Sequence, residues 1–135
     1  MSRDPAPGTS TTPLKRRLEQ RVAVLVSRII SKLPPELRRH AEALPVFCEW
    51  QIPAHWLEDG VAPDSLGLFS GPSLREGNDP DDFESPRITL FLEQLWDYCE
   101  GDHAAFDDEV RLTYIHEFGH YLGLEEADLA ARPLL

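Results

Sequence analysis

His116-Glu117-Phe118-Gly119-His120-Tyr121-Leu122-Gly123-Leu124-Glu125-Glu126 is the stretch on which the reading of this 135-residue chain turns. On a helix, residues four apart lie about 40° from each other around the axis and one turn apart, so His116 and His120 can present both imidazoles to one metal ion. Glu117 points about 100° further round, beside the ligand shell, where a base stands to take a proton from a metal-bound water. Phe106, Val110, Leu112, Ile115, Phe118 and Leu122 recur at helical spacing and set the stretch on a helix. Asp102 suits the N-cap of that helix, Asp107, Asp108 and Glu109 favour the positive end of its dipole, and Gly123 suits a left-handed C-terminal turn. On the helical wheel Leu112, Ile115, Gly119 and Leu122 share a stripe expected to face the core, with the two histidines bordering a cleft. Two neutral imidazoles plus a carboxylate form a donor set that suits zinc.

Upstream, the chain reads as one domain. Residues 1–13 are Ser, Thr, Pro and Gly with little to bury, the composition of a flexible tail, and residues 14–135 are expected to form a single domain. Leu18, Val22, Leu25, Ile29 and Leu33 step by helical intervals, with Val26 and Ile30 widening the stripe, so a basic amphipathic helix is expected over 14–33. In a domain this small its apolar face is needed for the core, which argues against a membrane role. Pro34-Pro35 stops it, and Pro35 can open a second short helix. Strands are expected at 45–52, 66–70 and 87–91, with a helical turn at 54–59, a helix at 92–99 and a last short helix at 125–131. Gly67 inside the second strand marks an edge strand or a close approach. Residues 71–86 are polar and long for a loop in a compact domain, a pattern of mobile or functional segments.

The charge is uneven. Residues 1–40 carry nine Lys/Arg against three Asp/Glu (+6), and residues 41–135 carry four against twenty-one (−17). An acidic body around the histidines would repel phosphates, so a nucleic-acid substrate is not expected. No run of eighteen apolar residues exists, and Arg28 interrupts the one stretch resembling a signal-peptide core, so a cytoplasmic protein is expected. Cys48 and Cys99 lack the spacing of a metal knuckle or redox pair and are expected as free thiols.

The chain resembles the bacterial zincin-like metallopeptidases of minimal size. The resemblance is carried by Leu33-Pro34-Pro35-Glu36-Leu37, Leu66-Gly67-Leu68-Phe69 with Gly71, Pro86-Arg87-Ile88-Thr89-Leu90-Phe91, and most specifically His116 to Leu124. It implies a small α+β fold, a short three-stranded sheet packed on the active-site helix and an N-terminal helix, and a zinc peptidase activity on peptide or protein substrates. The related pattern is His-Glu-x-x-His-x-x-Gly-x-x-Asp, the aspartate being the third zinc ligand. Ten residues after His116 this chain has Glu126, one methylene longer, so the resemblance implies metal ligands His116, His120 and Glu126 with Glu117 as general base. Glu125 and Asp128 are neighbouring alternatives for the third ligand. Tyr121 is a candidate for oxyanion help or a packed aromatic, and Glu93 or Asp97 could accept a histidine N–H. The alternatives are a catalytically silent metal-binding protein of the same fold, a zinc ribonuclease, which the acidic body and Glu117 disfavour, and a site that binds no metal.

Overall fold

A computed structural model describes residues 12–77 and 84–127. Along the described residues the elements run α1 (Thr12–Lys32), α2 (Pro35–Glu42), β1 (Val46–Glu49), α3 (Ala54–Glu58), β2 (Gly67–Ser70), β3 (Arg87–Phe91), α4 (Leu92–Tyr98) and α5 (His103–Tyr121). This is an α+β fold with a mixed three-stranded sheet in the order β1-β3-β2. The central strand β3 pairs parallel with β1 and antiparallel with β2. Its central place accounts for a buried run from Ile88 to Phe91, where β1 alternates between half-buried and exposed.

Helix α1 begins at Thr12, two residues earlier than the spacing predicts, and the rest of the expected tail lies outside the described residues. Its inward stripe is Leu18, Val22, Val26 and Ile29, continued by Leu33 just past the helix end, and it packs against α5. Leu25, expected in that stripe, is only half-buried. Arg21 closes the same contact, giving Nε and Nη2 to the two carboxylate oxygens of Asp107 at 2.5 and 2.7 Å. One charge of the basic helix thus meets the acidic body directly. Pro35 stands in the first turn of α2, where its missing N–H has no helical partner to lose. The last helix expected at 125–131 lies mostly outside the described residues.

The inward face of α5 differs from the expected one. Phe106, Val110, Tyr114, Phe118 and Tyr121 are buried, with Thr113 and Gly119, whereas Leu112 is 54% exposed and Ile115 half-buried. Helix α5 is sandwiched between α1 and the β2–β3 side of the sheet, and the four-residue steps from Phe106 to Phe118 follow that seam. Tyr114 and Phe118 stack along it, 6.0 Å apart and 5° from parallel. Leu112 falls on the open face, one turn before His116.

Gly67 brings α5 close to the sheet. A Cβ there would stand 2.7 Å from Thr113 Cγ2, too short for any side chain, and at a tight 3.0 Å from Leu90 Cδ2 and 3.2 Å from the Thr89 carbonyl oxygen. Cys48 and Cys99 are free thiols, and burial pushes Cys48 up to about 12. Among the described residues no helix is long and apolar enough to cross a membrane.

Candidate metal centre

Three local structures converge on His116 and His120. The first is α5 itself, capped by the Asp102 carboxylate, which accepts the Ala105 N–H at 3.3 Å. Four-residue spacing places the two imidazole rings 4.9 Å apart.

The second is the helix C-terminus. Gly123, at φ +94°, takes the left-handed conformation. Its N–H donates to the His120 carbonyl at 2.9 Å, and the Leu124 N–H donates to the Gly119 carbonyl at 3.0 Å. This pair of bonds is the Schellman arrangement, which satisfies terminal carbonyls while reversing the chain. The Leu74 N–H satisfies a further one, that of Tyr121, at 2.8 Å. Reversal returns two acceptors to the histidines. The Leu124 carbonyl receives His120 Nδ1–H at 3.1 Å, and Glu126 Oε1 stands 2.9 Å from His116 Nε2 and 2.8 Å from His120 Nε2.

The third is β2. The Phe91 N–H donates to the Leu66 carbonyl, so 66/91, 68/89 and 70/87 are the hydrogen-bonded pairs of the antiparallel ladder. The peptide groups of Gly67 and Phe69 therefore face the open edge of the sheet. Glu117 meets that edge, its Oε1 accepting the Phe69 N–H at 2.9 Å. Burial pushes the Glu117 carboxyl above the ordinary range, although the Phe69 N–H pulls the other way. Glu126 shifts downward, chiefly through its hydrogen bond with His116 and then that with His120.

His116, His120 and Glu126 form the one three-donor cluster among the described residues, with ligand atoms within 4.8 Å of one another. Their chemistry fits a cation. With Nδ1–H of His120 given to Leu124, Nε2 turns a lone pair toward a carboxylate oxygen, which also only accepts. Two acceptors at 2.8 Å repel unless positive charge, a proton or a metal, lies between them. Donors sharing one zinc ion sit about 3.3 Å apart, so the histidine nitrogens, within 4.8 Å of each other, would draw together and Glu126 would retreat by a few tenths of an ångström. Its side chain is 71% exposed and free to do so.

The structure thus brings together Glu117, His116, His120 and Glu126. Glu125 is exposed and stands outside the three-donor cluster, and Asp128 lies outside the described residues. Tyr121 is 7% exposed, its ring 5.6 Å from Phe69 and 6.3 Å from Phe118, which makes it a packed aromatic. Glu93 accepts from Gln51 Nε2 instead of from a histidine. The partner of His120 is the Leu124 backbone, because the Gly123 turn delivers a carbonyl where no distant carboxylate is needed. Both groups missed from the sequence, the Phe69 N–H and the Leu124 carbonyl, are backbone atoms that residue identity does not announce. The glycine at 67 carried the one available signal, and the approach it permits is that of Thr113.

No curated protein matches the chain. The sequence profile of the zincin-like metallopeptidases matches residues 42–133, more than half of the chain, leaving out the Leu33–Leu37 block and all of α1. The match spans all three strands, the His-Glu-x-x-His helix and the glycine turn after it, and the chain belongs to the zincin-like metallopeptidase family.

Proposed function

We propose that the protein is a zinc-dependent peptidase, with His116, His120 and Glu126 as metal ligands and Glu117 as general base. The observation that carries this reading is the position of Glu117, beside the donor cluster yet outside it, with its Oε1 held by the edge strand. His116, His120 and Glu126 would hold a zinc ion with three donors, the number found in hydrolytic sites, where a structural site is closed by four. Such an ion would supply Lewis acidity toward the scissile carbonyl and would lower the pKa of a bound water to about 7.

The chain's own groups supply the rest. The Phe69 N–H holds one Glu117 oxygen, which fixes the carboxylate and leaves Oε2 to take the proton of the attacking water. Burial, by raising its proton affinity, brings Glu117 closer to the working pH of a general base. The same carboxylate then delivers the proton to the departing amine. The outward N–H and carbonyl of Gly67 and the outward carbonyl of Phe69 would pair with an extended substrate laid along the edge of β2, the Phe69 N–H staying with Glu117. The Leu124 carbonyl holds the His120 ring in orientation and tautomer. The free thiols of Cys48 and Cys99 accord with action in a reducing cytoplasm.

The test is a Glu117→Gln variant assayed with a peptide library. It should bind zinc as the parent does and lose hydrolysis by at least about 100-fold. Equal turnover by parent and variant would remove Glu117 from the mechanism. Zinc binding by the parent with no cleavage of any peptide would instead favour a silent metal-binding protein.

A further inference from the structure

The cleft does not end at the histidines. A groove of about 310 Å³ continues from His116 and Glu117 toward the N-terminal end of α5, walled on one side by Ser65, Leu66 and Gly67. The opposite wall is α5 itself: Glu109, Leu112 and Thr113 occupy successive turns of the face that carries His116. Leu112, 54% exposed, is an apolar wall that the fold leaves uncovered. Beyond it stands Glu109, half-buried, with no cationic partner among the described residues. Asp107, two residues earlier, is by contrast neutralised by Arg21.

We infer that Glu109 is a specificity-determining residue that selects a lysine or arginine side chain next to the scissile bond. This rests on the peptidase reading for the location of that bond, and on the groove alone for the preference. Seven helical residues separate Glu109 from His116, about 10 Å along the axis. An extended peptide on the edge of β2 advances about 3.3 Å per residue. A residue one or two positions from the cleaved bond therefore has several ångströms left to span, the reach of a long side chain. Lysine and arginine suit both parts of the groove, laying an apolar stem on Leu112 and Leu66 and presenting a cation to Glu109. A short or acidic side chain leaves the apolar wall uncovered or meets a like charge. The −17 of residues 41–135 acts in the same direction, raising the local concentration of cationic peptides.

The test measures binding without turnover. In the full chain carrying Glu117→Gln, fluorescence anisotropy follows fluorescein-labelled alanine–serine decapeptides with one central guest: lysine, norleucine or glutamate. The uniform host lets each peptide slide until its guest finds the preferred position. The lysine peptide should bind about fivefold tighter than the norleucine peptide at low salt, a factor that shrinks as ionic strength rises. Adding Glu109→Gln should bring that ratio to one, and Glu109→Arg should favour the glutamate peptide. A lysine-to-norleucine ratio of one with Glu109 in place, or one that survives Glu109→Gln, overturns the inference. So does failure of every peptide to bind. Preference that follows Glu109 without cleavage by the parent would sink the peptidase reading and leave the subsite standing; cleavage indifferent to Glu109 would do the reverse.

Discussion

Replacing Gly123 with alanine separates the stability of this fold from the assembly of its site. At φ +94° a side chain costs about 1–2 kcal/mol, partly offset by about 0.4–1 kcal/mol because alanine restricts the unfolded chain. The added Cβ would also lie 3.0 Å from Arg75 Cβ and 3.2 Å from its Nε; a side-chain rotation of the exposed Arg75 relieves the second, and the first needs the backbone there to give by a few tenths of an ångström. A net loss of about 1 kcal/mol lowers the melting temperature by roughly 3–6 °C in a chain of this size, against a total stability of about 5–15 kcal/mol. The variant should therefore remain folded. Its zinc affinity should fall further than its stability, because the same turn places both Glu126 and the Leu124 carbonyl that orients His120. Loss of a ligand-orienting partner costs about 10–100-fold in affinity. Calorimetry in the presence of a chelator gives the first number, and zinc competition with a chromophoric chelator gives the second. Gly60→Ala is the control, since Gly60 has φ +105° with open space around it and lies outside the donor cluster. It should lose similar stability and no zinc affinity. If Gly123→Ala melts lower but binds zinc as tightly as the parent, the turn does not build the site and the reasoning fails.

Gly67→Val should push α5 from the sheet, at about 1–3 kcal/mol, and Thr113→Ser, which deletes the obstructing methyl, should restore part of that; equal denaturation midpoints for the single and double variants would contradict it. Cys48, pushed by burial to about 12 from an ordinary 9, holds some hundred- to thousandfold less thiolate at pH 8 than an unburied thiol. Iodoacetamide should modify it correspondingly slowly in the native protein and readily in denaturant, as mass spectrometry would show; fast native alkylation would mean that the thiol is reactive and not a packing group.

The elements were legible where local chemistry is strong. Arg87 to Phe91 reads as a strand in sequence and is one, Pro35 marks the start of α2, and Asp102 and Gly123 delimit the metal helix from either end. The inward face of α5 was not legible, because its apolar residues lie on more than one side. Leu112 and Ile115 look as suitable for a core as Val110 and Tyr114, and only the position of α1 and β2 separates them. The same holds at the centre. Spacing pairs His116 with His120, but the rank of Glu126 against Glu125 depends on how sharply the chain turns at Gly123, a property of backbone dihedrals. The reach of Glu117 to Phe69 depends in turn on which peptide groups of β2 face outward, which follows from strand register and leaves no mark on residue type.

The most direct measurement is zinc K-edge absorption spectroscopy on the purified chain, with metal content determined in parallel. One zinc per chain is expected, coordinated by two imidazole nitrogens and by oxygens at about 2.0–2.2 Å, without sulfur, and His116→Ala should lose the metal. Zinc retained by His116→Ala, or a shell containing sulfur from Cys48 or Cys99, would contradict a centre built on the two histidines of α5.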